Sequence, residues 1–149
     1  MSDSVNNGDS VVVSFFVHGK PLPKGSMKAF RHPKTGAVIL THSKGADLAA
    51  WSNRISELAR GRIVSWDPAS AGVPVSVTLR FTLQKPKSMS KKVMYPAKRP
   101  DLDKLIRSVL DSLTGIFYHD DSQVVKLVAM KNYGSVPGVG IEIEEEITP

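Results

Sequence analysis

The chain has 149 residues, of which 41% are apolar and 23% are charged, and its net charge is +6. This length and composition predict one folded domain with an ordinary core, and they exclude a chain that is disordered throughout. The positive balance favours an anionic partner, and we expect nucleic acid before a membrane, because no apolar run of about 18 residues is present.

The first part of the chain reads as a short tail followed by β-structure. Residues 1–10, MSDSVNNGDS, are polar and predict a disordered tail, and a single domain is expected over residues 11–149. They also lack the apolar core of a signal peptide, and the chain has no cysteine, so we expect a cytoplasmic protein. The run Val11–His18 predicts a buried strand, and Met27–Arg31 with Ala37–Thr41 predicts a hairpin.

A helix and a half-buried strand are expected in the middle of the chain. Apolar residues at helical spacing predict a helix over Ala46–Gly61, with Trp51 in the core. Val64–Gly72 reads as a connecting loop. In Pro74–Leu83 apolar and polar residues alternate, which predicts a strand with one face in the core.

The segment Gln84–Arg99 is a basic loop. It contains six basic residues, no acidic residue and two prolines, and it shows no sustained periodicity. We interpret it as an arm that binds the DNA backbone, and the alternative is a solvated loop without a partner. Its basic residues are Lys85, Lys87, Lys91, Lys92, Lys98 and Arg99.

The most regular helical pattern in the chain is flanked by two pairs of aspartates. Apolar spacing predicts a helix over Leu102–Leu113; Asp101 (a candidate N-cap) and Asp103 form the first pair, and Asp120 and Asp121 form the second. If residues 116–121 are extended and run back along the helix, they cover about 20 Å, which matches the helix length of roughly 18 Å. We therefore expect the two pairs to converge, and oxygen ligands without cysteine favour Mg²⁺, with Mn²⁺ as a substitute, over Zn²⁺.

Two strands are expected to close the fold. Val124–Tyr133 and Val139–Ile147 have strand character, and the cluster Glu142–Glu146 reads as an exposed edge without a function. The order of elements predicts an α+β fold, with about six strands in one mixed, mostly antiparallel β-sheet and two main helices packed on it.

The stretch RPDLDKLIRSVLDSLTG–IFYH–DDSQV resembles the signature of the RusA family of Holliday junction resolvases, including its phage members. The signature is one ordered motif of about 25 residues with both acidic pairs in place, and the early segment VHGKPLPKGSMKAF is similar to the family's opening strand and loop. Two positions depart from the pattern. The family's usual Asn after D-x-D is Lys104, and its catalytic Lys position carries Arg107.

The resemblance implies a RusA-like fold and a metal-dependent endodeoxyribonuclease that resolves four-way DNA by symmetric paired nicks. It also implies a homodimer, branched DNA as the partner, no small-molecule cofactor, and a bacterial or phage gene whose product acts in the host cytoplasm. The expected metal ligands are Asp101, Asp103, Asp120 and Asp121. The expected catalytic residues are Asp101, Asp103, Asp121 and Arg107. Besides the six residues of the basic loop, the expected DNA-binding residues are Lys24, Lys28 and Lys104.

Some alternatives stay open at this point. Arg107 lies one helical turn beyond Asp103, so it either binds a phosphate oxygen or pairs with that carboxylate, and Lys104 could serve either role. The two departures also allow a non-catalytic protein that binds branched DNA. A small-molecule phosphotransferase or glycosyltransferase built on the D-x-D is disfavoured, because the chain has no Gly-rich phosphate loop.

Overall fold

The computed structural model describes residues 4–7, 10–25, 28–41, 45–63 and 72–146. The described elements are β1 (Ser4–Asn7), β2 (Ser10–His18), β3 (Lys28–Arg31), β4 (Val38–Thr41), α1 (Gly45–Arg60), β5 (Val75–Leu83), α2 (Leu102–Leu113), β6 (Val124–Tyr133) and β7 (Gly138–Glu145). A single 3₁₀ turn, Asp121–Gln123, precedes β6. No helix in these ranges is long and apolar enough to cross a membrane.

One mixed sheet forms the centre of the fold. Its strand order is β1-β2-β7-β5-β6, and β3 and β4 form a separate two-stranded sheet. All neighbours in the main sheet are antiparallel except β5 and β6, which are parallel. The predicted α+β class with a single mixed sheet and two helices is therefore confirmed, although the hairpin stands apart from the main sheet.

Both helices pack on one face of the sheet and bury the core there. Along β5 every second residue, from Val75 to Leu83, is buried, which is the pattern expected of a strand with one covered face. In α1 the buried residues are Trp51, Ile55 and Ala59, and Trp51 is only 4% exposed. The predicted position of Trp51 in the core is confirmed.

Helix α2 is the crossover between the two parallel strands. A parallel pair cannot be joined by a tight turn, so the chain leaves the end of β5, passes through the basic loop, and returns along α2 to the beginning of β6. Consequently α2 runs antiparallel to β5 and β6. Its first residue lies near the strand ends, and its last residue lies near the strand beginnings. This topology decides where each acid pair lies.

Three segments differ from the sequence-based expectation or fall outside the description. Ser4–Asn7, within the predicted tail, pairs with β2, because the outer edge of β2 offers free backbone groups. β7 lies between β2 and β5, so its glutamates are not at an edge of the sheet. Glu142 instead lies 3.7 Å from Arg80 on the face away from the helices. The predicted loop over residues 64–71 is outside the described residues.

Candidate metal and DNA site

The first acid pair stands at the beginning of α2 with its carboxylates accessible. Asp101 is the N-cap residue, with an extended backbone, but its side chain makes no capping hydrogen bond. Its carboxylate lies 3.6 Å from Lys104 Nζ, in an ion pair open to solvent. Asp103, one residue into the helix, is exposed and makes no hydrogen bond or ion pair within the described ranges. Both carboxylates are therefore available to a ligand.

Arg107 does not neutralise Asp103. Its guanidinium is exposed and forms no ion pair or hydrogen bond with any residue that the structure describes. Of the two interpretations open for Arg107, the i,i+4 ion pair is thus not formed. Lys104, by contrast, is engaged with Asp101.

A lysine from β6 holds the segment that leads into the first pair. Lys131 Nζ donates to the carbonyl oxygens of Lys98 at 2.7 Å and of Pro100 at 2.8 Å. These bonds join the end of β6 to the residue immediately before Asp101. Lys131 was not predicted as a site residue, because nothing in a strand sequence indicates which distant loop its last residues contact.

The second acid pair forms a tight turn just before β6. Asp120 accepts from the Ser122 backbone N–H at 2.8 Å, and Gln123 Oε1 accepts from the backbone N–H groups of His119 and Asp120. The Asp120 side chain also accepts from the Gln123 backbone N–H, and this bond together with the one from Asp120 N–H to Gln123 Oε1 makes a capping box. The second pair is therefore positioned by hydrogen bonds between the side chains of Asp120 and Gln123 and nearby backbone groups.

The two carboxyls of the second pair affect each other. Hydrogen bonds from Ser122 lower the pKa of Asp120. The hydrogen bond with Asp120 raises the pKa of Asp121, and a slight desolvation and the charges of Asp120 and Asp111 add to this rise. Two adjacent carboxylates resist ionising together unless a cation offsets their charge. Asp120 is therefore the more readily ionised member of the pair.

The second pair lies beside the last turn of α2 and not beside its first turn. The predicted extended return does not occur, because Gly115 N–H donates to Tyr118 O at 2.7 Å and Phe117 N–H donates to Leu113 O at 3.1 Å, which fold the chain into a compact turn. Gly115 permits this turn with φ = 84°. Ile116, Phe117 and Tyr118 are buried in it, which stabilises the turn over an exposed strand.

The predicted convergence of the two acid pairs is therefore wrong within one chain. The length of α2 separates them, roughly 18 Å for 12 residues. In the described ranges no three His, Cys, Asp or Glu residues are grouped closely enough to hold a metal ion. The assignment of these aspartates as metal ligands stays a prediction.

The basic loop lines a cavity and runs directly into the first pair. A cavity of about 460 Å³ lies between this loop, the loop after β2 and the ends of β5 and β6. Its charged lining residues are Lys20, Lys85, Lys87, Lys98 and Arg99. Lys91 and Lys92 are exposed further along the same loop. Four of the six predicted basic-loop residues, Lys85, Lys87, Lys98 and Arg99, thus line one cavity. The DNA-binding role of all six stays a prediction.

Two other predicted DNA-binding residues lie elsewhere. Lys24 pairs with Asp111 on α2, and its backbone N–H donates to Lys104 O at 3.0 Å, so its loop is fastened along the helix. Lys28 is on β3, and its side chain is outside the described part of the structure. The DNA-binding roles of both residues stay predictions.

Exposed carboxylates next to concentrated positive charge define a candidate site for phosphodiester chemistry on an α+β scaffold. A sequence model of the Endodeoxyribonuclease RusA family matches residues 18–144, and the chain belongs to this family. The chain is also similar to the uncharacterized protein YqaN of Bacillus subtilis (strain 168). The two are 28% identical over 148 residues, covering 89% of this chain and 96% of YqaN.

Proposed function

We propose that this protein is a divalent-metal-dependent endonuclease that resolves four-way DNA junctions as a homodimer. The observation that carries the proposal is the position of the two accessible acid pairs at opposite ends of α2, one beside the basic loop. Membership of the endodeoxyribonuclease family supports a nuclease. In one chain, however, the two acid pairs lie too far apart to bind the same metal ion.

A two-fold symmetric dimer brings the two acid pairs together. If a second copy packs so that its α2 is antiparallel to the first, the beginning of one helix comes next to the end of the other. The pair Asp101 and Asp103 of one protomer then lies near Asp120 and Asp121 of its partner. The same operation produces a second, identical site, since a two-fold contact is reciprocal.

The open edge of β6 is the contact that fits this arrangement. β6 is the last strand of the sheet, and three apolar side chains on it are exposed: Val125 at 63%, Leu127 at 41% and Val128 at 41%. A long apolar edge strand is a ready partner for another strand. Antiparallel pairing of β6 with its copy covers this edge and reverses α2 at the same time.

Distances along β6 agree with an axis near Leu127. Lys131, which is bonded to the residue before Asp101, is four residues after Leu127, or about 13 Å along a strand. Asp121 precedes Leu127 by three strand residues and a 3₁₀ turn, or roughly 16 Å. A two-fold axis at Leu127 therefore brings Asp121 of one protomer to the level of Asp101 of the other.

The donor set of such a site suits Mg²⁺ or Mn²⁺. All four side chains offer carboxylate oxygens, the chain has no cysteine, and the mutual repulsion of Asp120 and Asp121 is relieved by a cation. We assign Asp101, Asp103 and Asp121 as the ligands and Asp120 as an accessory ligand. When bound, the cation lowers the pKa of an attacking water and offsets the charge that develops on the phosphate.

The cationic side chains hold and orient the substrate. The basic loop binds the DNA backbone on the approach to Asp101, and its affinity is expected to fall as salt rises. Arg107, which has a free guanidinium next to Asp103 on the helix, binds a non-bridging phosphate oxygen. It does so as a fixed cation, since an arginine does not donate its proton.

The two identical sites of such a dimer match the two-fold symmetry of a four-way junction. Resolution of a four-way junction into two duplexes requires nicks in two strands of like polarity, and a two-fold dimer presents two equivalent sites to a two-fold junction. Junction shape and phosphate contacts then determine selectivity, with limited reading of bases.

The test is cleavage of a synthetic four-way junction beside a linear duplex of the same sequence, with Mg²⁺ and with Mn²⁺. The wild type is expected to make paired symmetric nicks in the junction alone. Asp103→Asn is expected to bind the junction as tightly but to leave it uncut. Tight binding without nicks in either metal would instead make the protein a non-catalytic junction binder, and no binding would remove the proposal altogether.

A further inference from the structure

The basic loop presents an apolar tip to solvent. Val93, Met94 and Tyr95 are consecutive, and they are 38%, 72% and 69% exposed. We call these three residues the tip. A run of three exposed apolar residues serves no purpose in folding, because their area stays in water in the folded state. The stability of one chain therefore does not explain why the tip is apolar and exposed.

The backbone under the tip is fixed by hydrogen bonds. Lys85 Nζ donates to Val93 O at 2.6 Å, Val93 N–H donates to Ser90 O at 3.1 Å, and Ala97 N–H donates to Tyr95 O at 2.9 Å. Pro96, the next residue, is buried. The side chains of Met94 and Tyr95 are thus held outward on a braced turn, which reduces the entropy lost when they contact a ligand.

The charge around the tip indicates the chemistry of that ligand. Lys91 and Lys92 precede the tip, Lys98 and Arg99 follow it, and all four are exposed. No acidic residue occurs between residues 84 and 99. A partner that places apolar flat surfaces within a few ångströms of dense negative charge fits this combination. A nucleic acid whose bases are accessible has both properties, since aromatic side chains stack on bases of any sequence.

Intact duplex DNA does not offer such surfaces, because its base faces are covered by stacking. A branch point does, because the base pairs next to the crossover lose part of their stacking. The tip belongs to the same loop that runs into Asp101, so it contacts DNA close to the predicted position of cleavage. Apolar side chains inserted between base steps bend or open DNA in other proteins.

We propose that Met94 and Tyr95 insert at the branch point of the junction and contact its unstacked bases. This inference rests on the proposed function and assigns the tip as the element that distinguishes a junction from a duplex. The lysines around the tip bind both forms of DNA through phosphates, whereas the tip contributes only where bases are accessible. Selectivity and general affinity are thus carried by different residues of one loop.

The experiment compares Met94→Ala/Tyr95→Ala with the wild type in binding a four-way junction and a linear duplex, measured by fluorescence anisotropy without divalent metal. We expect a loss of junction affinity of about 5-fold to 100-fold, with duplex affinity unchanged. Tyr95→Phe keeps the ring and is expected to bind as the wild type does. Lys91→Ala/Lys92→Ala is the matched charge control and is expected to weaken both DNAs together and to reduce the salt dependence.

A second readout is 2-aminopurine placed beside the branch point. The wild type is expected to change its fluorescence, and Met94→Ala/Tyr95→Ala is not. Unchanged junction affinity, or equal losses on junction and duplex, would overturn the inference while cleavage by the wild type leaves the proposed function standing. A loss of binding to anionic vesicles without a loss on the junction would overturn it in favour of a membrane contact. Failure of the wild type to bind the junction would refute both proposals.

Discussion

Replacement of Lys131 by Met is expected to loosen the first acid pair and to destabilise the fold. Lys131→Met keeps the length and apolar stem of the side chain but removes the two hydrogen bonds to the carbonyl oxygens of Lys98 and Pro100. A hydrogen bond from a charged donor contributes about 1.5–3 kcal/mol. Since the bond to Lys98 is exposed to water, we expect a net loss of about 2 kcal/mol.

Two assays measure this effect. For a chain of this size a loss of that magnitude lowers Tm by about 4–8 °C. Because Pro100 then loses its anchor, Asp101 is less well positioned, and junction cleavage is expected to slow by about 10-fold to 100-fold. Lys34→Met is the control: Lys34 lies in the turn of the separate hairpin, is exposed, and has a side chain without a hydrogen bond or ion pair in the described structure. If Lys131→Met matched Lys34→Met in Tm and in cleavage, the reasoning would be refuted.

Two further predictions address the second pair and the proposed dimer contact. Asp120→Asn removes the neighbour that raises the pKa of Asp121, so that pKa is expected to fall toward the ordinary aspartate value; carbon-13 NMR of the Asp121 carboxyl would measure this, and an unchanged pKa would contradict the assigned cause. Leu127→Asp places a charge at the proposed axis and is expected to give a monomer by light scattering and to abolish cleavage. Val38→Asp, at the exposed Val38 of the separate hairpin, is the control, and a dimeric Leu127→Asp protein would exclude the β6 contact.

Local patterns predicted the elements well. The apolar spacing between Leu102 and Leu113 predicted α2 with both ends correct, and the candidate N-cap Asp101 is the N-cap residue, although its side chain makes no capping hydrogen bond. The alternation in β5 and the core position of Trp51 were predicted for the same reason. These features depend on residues within a few positions of each other, which a sequence displays directly.

Non-local pairing was not predictable in the same way. The parallel alignment of β5 with β6 depends on residues about 50 positions apart, and it reverses the direction of α2 relative to both strands. For that reason sequence patterns indicated the two aspartate pairs, but the prediction that they converge within one chain was wrong. The central position of β7 and the contact of Lys131 with the Pro100 carbonyl have the same non-local origin.

Cleavage by a mixed dimer tests the central claim most directly. Asp103→Asn and Asp121→Asn chains with different tags are co-expressed, and the heterodimer is isolated by both tags. If each site takes carboxylates from both protomers, one site of this dimer carries both substitutions and the other is intact. We predict that the heterodimer nicks one strand of the junction while each parent homodimer is inactive. An inactive heterodimer that still binds the junction would contradict the shared site.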